Sequence, residues 1–109
     1  MISNYISKKI LIVDDHPLIA DGIKMLIERN TDFEVLNIIY SWESLWKELT
    51  ETIDILILDL NIKGKNSTQI IDDIKSLQPN LKILIFSSYN KPSLVRKTFE
   101  KGVDGYVLK

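Results

Sequence analysis

The sequence predicts one α/β domain, in which a parallel sheet is covered by helices on both faces. Short β-branched apolar runs recur along the chain, and segments with apolar residues at helical spacing separate them. This alternation is typical of βαβ units with right-handed crossovers. The 109 residues, 45% of them hydrophobic and 27% charged, suffice for one domain with a core of its own.

The overall composition argues against several classes of protein. The 14 basic and 15 acidic residues nearly balance, whereas domains that bind nucleic acid usually carry a basic excess. The absence of cysteine excludes disulfides and thiolate metal sites. No apolar stretch reaches the roughly 20 residues of a membrane span, and residues 1–9 lack the order of a signal peptide. We therefore expect a cytoplasmic protein.

The first half of the chain is expected to form three strands and two helices. The first strand covers residues 9–14, and Pro17 opens a helix because its missing N–H is not needed in a first turn. The second strand covers residues 33–40, and Ser41 is a candidate N-cap for a short helix. The third strand covers residues 53–59. The apolar positions expected to face the sheet are Ile19, Ile23, Leu26, Ile27, Trp42, Leu45, Trp46 and Leu49.

The second half continues the same alternation. The polar stretch at 61–67 predicts a loop, and a helix then leads to a fourth strand at 82–86. Pro92 begins the last helix, and Gly102 suits its C-cap. A fifth strand covers residues 104–109. The inward positions of these two helices are predicted to be Ile70, Ile71, Ile74, Leu77, Leu94, Val95, Thr98 and Phe99.

Polar side chains stand at the carboxyl ends of four predicted strands. In strand order they are Asp14 with Asp15, then Asp59, Ser87 and Lys109. These strand ends share one edge of a parallel sheet, where ligands bind. Converging carboxylates repel one another unless a cation joins them, so we expect one there. Asp14 and Asp15 alone would be a plausible helix-capping pair, but Asp59 and Lys109 at matching strand ends favour a shared site.

The residue types predict phosphoryl chemistry at this edge. Oxygen ligands without a set of His or Cys point to Mg²⁺ or a similar hard cation. A lysine and a serine hydroxyl can bind phosphate oxygens while a carboxylate acts as nucleophile. His16 and Pro17 stand where a glycine-rich loop would follow the first strand, which argues against a dinucleotide fold or a P-loop. Because His16 has no second histidine beside it, we expect a loop residue near the mouth of the site.

These five residues, in this order, resemble the signature of response-regulator receiver domains. The segments VDDHPLIADG (13–22) and GVDGYVLK (102–109) are similar to the NarL/FixJ group, whose members carry a LuxR-type helix-turn-helix output domain. The resemblance covers nearly all of the chain, so residues 1–109 are interpreted as one receiver domain. It implies a flavodoxin-like (CheY-like) sheet with strand order 2-1-3-4-5. It also implies a final helix, which this chain lacks, and a DNA-binding domain downstream.

The resemblance assigns a role to each acidic residue. Asp59 would be the phosphoacceptor, which takes a phosphoryl group from a sensor histidine kinase or a phosphotransfer protein. Asp14, Asp15 and Asp59 would hold Mg²⁺ together with the backbone carbonyl of Asn61. The domain would then be a phospho-switch module that controls an attached output, such as transcription, instead of an enzyme acting on an external substrate. A homodimer linked to phosphorylation is also suggested.

Three further positions follow from the same resemblance. Ser87 and Lys109 would contact the phosphoryl group, and Tyr106 would change rotamer when Ser87 is drawn inward. The small Ser88 would leave access to the site open. Without the resemblance, Ser87 could cap the next helix, Lys109 could be a solvated terminus and Tyr106 an ordinary strand aromatic.

The loop after Asp59 departs from the family pattern. Lys63 and Ser67 stand where the family usually has Pro and Gly, and Lys63 and Lys65 add two cations near the site. These changes could alter the lifetime of the phosphoryl group or the choice of partner protein, but they do not argue against a receiver domain. Two other functions stay open: a small phosphohydrolase with an Asp nucleophile, and a degenerate receiver used only for protein contacts. Asn61 disfavours the hydrolase, because such enzymes usually place an acid two residues after the nucleophile.

Overall fold

Five parallel strands form one sheet in the computed structural model, which describes residues 7–62, 65–66 and 68–109. The strands are β1 (Lys9–Val13), β2 (Glu34–Ile39), β3 (Ile55–Leu58), β4 (Lys82–Ser87) and β5 (Gly105–Leu108). Their order across the sheet is β2-β1-β3-β4-β5, so the predicted fold and strand order are confirmed. β1 lies between β2 and β3 and pairs with both in parallel.

Four helices cover the two faces of this sheet. They are α1 (Pro17–Asn30), α2 (Trp42–Glu48), α3 (Gln69–Leu77) and α4 (Pro92–Glu100). Successive side chains of a strand point to opposite faces, and the core divides accordingly. Ile10 and Ile12 pack with Ala20 of α1. Leu11 and Val13 belong to the larger cluster that α2, α3 and α4 complete.

Local sequence signals at the helix ends are confirmed. The Ser41 hydroxyl accepts a hydrogen bond from the Ser44 amide at 3.4 Å and so caps α2. Pro17 and Pro92 each lie in the first turn of a helix. Gly102, just beyond α4, has φ of 100°, a left-handed conformation that glycine adopts without strain.

The stretch predicted as a loop after Asp59 contains a short hairpin instead. Asn61–Ile62 pairs antiparallel with Lys65–Asn66. Ile62 is almost fully buried in the larger core cluster, and this burial holds the first arm of the hairpin against the domain. Lys63 and Ser67, where the sequence departs from the family pattern, lie outside the described residues, and so does the side chain of Lys65.

Several helical residues that were predicted to face the sheet are exposed instead. α1 contacts the sheet through Ala20, Ile23 and Ile27, which leaves the flanking positions of the apolar stripe in solvent. Leu77 is 64% exposed at the end of α3, and Phe99 is 47% exposed on the flank of α4. Trp42 packs against the core, as predicted. The side chains predicted as inward but found exposed are Ile19, Leu26, Trp46, Leu77 and Phe99.

An apolar groove of about 280 Å³ lies between α1 and the sheet. All of its lining side chains are apolar, and one of them comes from the edge strand β5. Its lining residues are Ile23, Leu26, Ile27, Ile57, Leu84, Phe86 and Val107.

Within the described ranges, no helix combines the length and the apolarity needed to span a bilayer.

Candidate functional site

Backbone hydrogen bonds carry the predicted site residues to one edge of the sheet. The Asp59 amide donates to the Val13 carbonyl at 2.9 Å, which extends the ladder between β1 and β3 by one step. The Lys109 amide donates to the Ser87 carbonyl at 2.9 Å in the same way. Asp14, Asp59 and Lys109 each directly follow a strand, and Ser87 is the last residue of β4. All of them therefore lie at the carboxyl ends of β1, β3, β4 and β5.

Two buried carboxylates share one ammonium group at this edge. Asp14 and Asp59 are each 2% exposed. The Lys109 Nζ atom lies 3.0 Å from Asp14 Oδ2 and 3.0 Å from Asp59 Oδ2. The side chain of Asp15 is more open to solvent, although its carboxylate lies in the same cluster. One cation therefore balances part of a charge that three carboxylates create.

Local hydrogen bonds orient the side chains at the strand ends. In each case an oxygen accepts from the backbone amide two residues further on, a turn that short polar side chains favour. Asp14 Oδ1 accepts from the His16 amide at 2.9 Å, and Asp59 Oδ1 accepts from the Asn61 amide at 3.0 Å. These bonds leave Oδ2 of each aspartate facing Lys109. The N-cap of α1 is His16, not Asp14 or Asp15, and it makes no side-chain capping bond; Asp14 instead holds the His16 backbone and belongs to the site.

Ser87 and Tyr106 are connected through the backbone of Tyr89. The Ser87 side chain is fully buried, and its Oγ accepts from the Tyr89 amide at 3.2 Å. The Tyr106 hydroxyl donates to the Tyr89 carbonyl at 2.7 Å. A displacement of Ser87 would therefore affect the same residue that holds the Tyr106 ring in place.

His16 lies at the mouth of the acidic cluster, as expected, but the sequence did not predict that its ring approaches all three carboxylates. Its Nδ1 atom is 2.8 Å from Asp14 Oδ1 and 3.2 Å from Asp15 Oδ1. The same nitrogen is 3.6 Å from Asp59 Oδ2. The sequence places the His16 backbone directly after the aspartate pair, at the N-cap of α1, but contains no signal for the direction of its ring.

The charges of the cluster perturb one another. Burial raises the pKa of Asp59 above its ordinary value, and the nearby Asp14 charge adds to this, although the Asn61 amide and Lys109 work in the opposite direction. Burial by itself lowers the pKa of Lys109, but hydrogen bonds and attraction to Asp59 and Asp14 outweigh it, so that pKa is raised. The lysine consequently stays charged at neutral pH. Burial is also the main reason why the pKa of Tyr106 is raised.

The donor set fits a hard divalent cation. One oxygen from each of Asp14, Asp15 and Asp59, together with one nitrogen of His16, all lie within 4.8 Å of one another. Carboxylate oxygens at such separations are the ligands that Mg²⁺ prefers. Asn61 adds a side-chain oxygen that is buried and accepts no hydrogen bond from the described residues.

Comparison with known proteins agrees with this arrangement. Residues 10–109 match the family described as the response regulator receiver domain, which generally binds Mg²⁺ at an acidic cluster. The nitrate/nitrite response regulator protein NarL of Escherichia coli (strain K12) is 34% identical over 109 residues. That alignment covers 98% of this chain and 50% of the relative, so the chain spans about half the length of this curated relative.

Solved structures of other response regulators have the same fold. A LuxR-family two-component response regulator from Aurantimonas sp. SI85-9A1 has a TM-score of 0.83 and 31% identity, and the match covers 94% of this chain and 74% of that one. The isolated REC domain of RcsB from Salmonella enterica serovar Typhimurium, in the presence of the phosphomimetic BeF3-, has a TM-score of 0.86 and 26% identity. That match covers 94% of this chain and 78% of that one.

The strand order, the buried aspartates beside Lys109 and the match across residues 10–109 lead to one assignment. The chain belongs to the receiver domains of two-component response regulators, in the group that contains NarL and the LuxR-family regulators.

Proposed function

We propose that this signalling module accepts a phosphoryl group on Asp59 and uses the modification to change its surface. The observation that supports this most strongly is the surroundings of the Asp59 carboxylate. It is buried at a strand end, 3.0 Å from the Lys109 ammonium and close to two further carboxylates. A carboxylate held in this way can serve as a nucleophile, because the neighbouring cation compensates the charge of the incoming phosphate.

The donor we propose is a phosphohistidine on a sensor kinase or a phosphotransfer protein. An oxygen of Asp59 forms a bond to phosphorus while the bond from phosphorus to the imidazole nitrogen breaks, and the electron pair returns to that nitrogen. Lys109 is positioned to pair with the transferred group. The Ser87 hydroxyl, whose oxygen accepts from the Tyr89 amide, would turn its hydrogen to donate to a phosphate oxygen.

We assign the divalent cation, Mg²⁺ in the first instance, to the same cluster. Asp14, Asp15 and Asp59 would hold it, with the backbone carbonyl of Asn61 as a further oxygen ligand. When bound, it would neutralise charge on the phosphate oxygens and on the carboxylates. The fit of the donor set, three carboxylate oxygens from two neighbouring strand ends, supports this assignment.

Phosphorylation would act through the link between Ser87 and Tyr106. The transferred group itself carries about −1.5 to −2 charges at neutral pH, in place of the single charge of the carboxylate, and its oxygens would draw the Ser87 hydroxyl towards Asp59. The hydrogen bond from the Tyr89 amide to Ser87 would then be lost, and the Tyr89 backbone could move. Because the Tyr89 carbonyl accepts from the Tyr106 hydroxyl, this movement would release the Tyr106 ring to change rotamer. Such a change shifts an equilibrium between two conformations of the β4–α4–β5 surface.

The experiment that tests this function is a phosphoryl balance with a small-molecule phosphodonor and Mg²⁺. We expect one phosphoryl group per chain to be retained, and none in Asp59→Asn. Release of many phosphate molecules per chain from phosphate esters would instead support the hydrolase. No labelling of the wild-type chain would contradict the proposal and favour a receiver used only for contacts.

We also propose that a helix and a DNA-binding output domain follow this domain in the full protein. The apolar groove beside α1 is a surface that a further helix would cover, and the curated relatives are about twice as long as this chain. Control of transcription and pairing of two phosphorylated copies on DNA would belong to that longer protein. In a chain that continues past Lys109, hydroxyl-radical footprinting should show the side chains of Leu26 and Val107 less accessible than in the chain that ends there; unchanged accessibility would contradict the proposal.

A further inference from the structure

The position of His16 is the feature of the site that the proposed function does not use. His16 lies on the loop between β1 and α1, and its backbone is constrained both before and after the residue. Its own amide donates to Asp14 Oδ1 at 2.9 Å, and Pro17 follows in the first turn of α1. The side chain is 52% exposed, yet its Nδ1 atom points at the carboxylates. The ring therefore lies over the mouth of the cluster.

The distances from this nitrogen match those between ligands of one cation. In an octahedral site with bonds of about 2.1 Å, neighbouring ligand atoms are about 3 Å apart. Nδ1 lies 2.8 Å from Asp14 Oδ1, 3.2 Å from Asp15 Oδ1 and 3.6 Å from Asp59 Oδ2. The nitrogen is thus placed as a neighbour of all three carboxylate ligands at once.

A simple hydrogen bond accounts for only part of this arrangement. An imidazole N–H has one hydrogen and can satisfy one acceptor well, whereas three carboxylates approach the same nitrogen. In addition, Lys109 Nζ lies 3.3 Å from Nδ1, and an ammonium group can only donate to a nitrogen lone pair. A divalent cation would satisfy the lone pair and the carboxylates together.

We propose that His16 is a metal ligand and gives the site a preference for first-row transition dications, such as Mn²⁺ and Co²⁺, over Mg²⁺. This inference rests on the proposed function, since it concerns the cation of the same carboxylate cluster. Mg²⁺ takes oxygen ligands and retains water, so an imidazole adds little to its binding. Affinity for sites with nitrogen and oxygen ligands rises along the first transition row from Mn²⁺ through Co²⁺ to Cu²⁺, so an imidazole ligand should favour Co²⁺ more strongly than Mn²⁺.

The decisive experiment uses the untagged chain loaded with Mn²⁺. Because the sequence contains a single histidine, any imidazole signal comes from His16. Pulsed electron paramagnetic resonance should detect coupling of Mn²⁺ to a directly bound imidazole nitrogen. The coupling should disappear in His16→Ala and persist in Asn90→Ala, a matched change at an exposed residue of the β4–α4 loop.

Metal affinities give a second readout that does not depend on phosphorylation. In His16→Ala, Co²⁺ affinity should fall by at least about tenfold, a loss that even partners behind a metal ligand can produce. Mg²⁺ affinity should stay within about twofold. His16→Gln keeps a polar side chain at the helix entrance and should show the same lost preference, should the alanine variant fold poorly.

The possible failures are distinguishable. If Mn²⁺ binds and requires Asp15 but shows no nitrogen coupling, the role of His16 is refuted and the carboxylate site stands. An equal loss for Co²⁺ and Mg²⁺ in His16→Ala, or a gain for both, also refutes it. If no divalent cation binds the wild-type chain, this inference and the metal site of the proposed function both fail.

Discussion

Replacing the Asp59 carboxylate by an amide removes one of three negative charges from a buried cluster. Asp14 and Asp15 have oxygens within 4.8 Å of it, and at an effective dielectric constant of about 20 each repulsion is at least about 3.5 kcal/mol. Attraction to Lys109 at 3.0 Å recovers about 5.5 kcal/mol at the same dielectric constant. These three charge interactions together destabilise the metal-free domain by roughly 1.5 kcal/mol; burial of the Asp59 charge adds to this cost, and the hydrogen bond from the Asn61 amide reduces it. We therefore expect Asp59→Asn to stabilise it.

The assay is urea unfolding followed by the fluorescence of Trp42 and Trp46, without divalent cations. Urea unfolding should show a free energy of unfolding that is higher by about 1.5 kcal/mol in the variant. In a thermal melt of a domain of this size, the same gain corresponds to a rise of about 5–10 °C in Tm. Because the pKa of Asp59 is raised in the folded state, the folded domain binds more protons than the unfolded chain between 3.8 and the folded pKa. Stability of the wild type therefore falls as pH rises through this window. The advantage of Asp59→Asn should shrink as the pH is lowered through it.

Asp21→Asn is the matched control, because it makes the same change at an exposed position of α1. Its stability should differ little from that of the wild type. A loss of stability in Asp59→Asn at neutral pH would refute the reasoning, since it would mean that the contacts of Asp59 with Lys109 and the Asn61 amide outweigh the repulsion. A gain that persists unchanged at low pH would also refute it.

Three further changes test other contacts of the site. Mg²⁺ should raise the Tm of the wild type, since a ligand that binds only the folded state stabilises it, and Asp15→Ala should abolish this rise; an unchanged response would exclude Asp15 as a ligand. Lys109→Gln should lower the free energy of unfolding by about 3 kcal/mol, because it leaves buried carboxylates without their cation, and the loss should be smaller in an Asp59→Asn background. Tyr106→Phe should cost about 1 kcal/mol through the lost hydrogen bond to the Tyr89 carbonyl; full stability of this variant in urea would show that the bond contributes nothing.

The edge of the sheet that carries the site could be predicted from the sequence because its signals are local. β1 and β3 are continuous apolar runs that stop at carboxylates, and parallel strands must end at a common edge. The meeting of Asp14, Asp59 and Lys109 follows from that topology. The strand order itself needed the resemblance, since periodicity does not say which strands are neighbours.

Exposure on the helices was less predictable. An apolar stripe shows which side of a helix tends to be buried, but not how far the neighbouring elements cover it. Leu26 and Phe99 belong to such stripes and are exposed, since α1 packs through Ala20, Ile23 and Ile27, and α4 packs through Leu94 and the buried Thr98. The hairpin after Asp59 was missed because its arms have two residues each, too few for a periodic signal.

The approach of His16 to three carboxylates could not be predicted either. It depends on the rotamer of one ring at a helix entrance, and the sequence places only its backbone there. A lone histidine beside an acidic pair is consistent with both a solvated loop residue and a ligand. The distances from its Nδ1 atom to Asp14, Asp15 and Asp59 are the observation that favours the role of ligand.

The most direct test of the central claim is the location of the phosphoryl group in the chain. After incubation with a small-molecule phosphodonor and Mg²⁺, the acyl phosphate can be trapped with borohydride and mapped by tandem mass spectrometry. The account predicts that the trapped position is Asp59, with no label in Asp59→Asn. Label on Asp14, Asp15 or any other residue while Asp59 stays unmodified would contradict it.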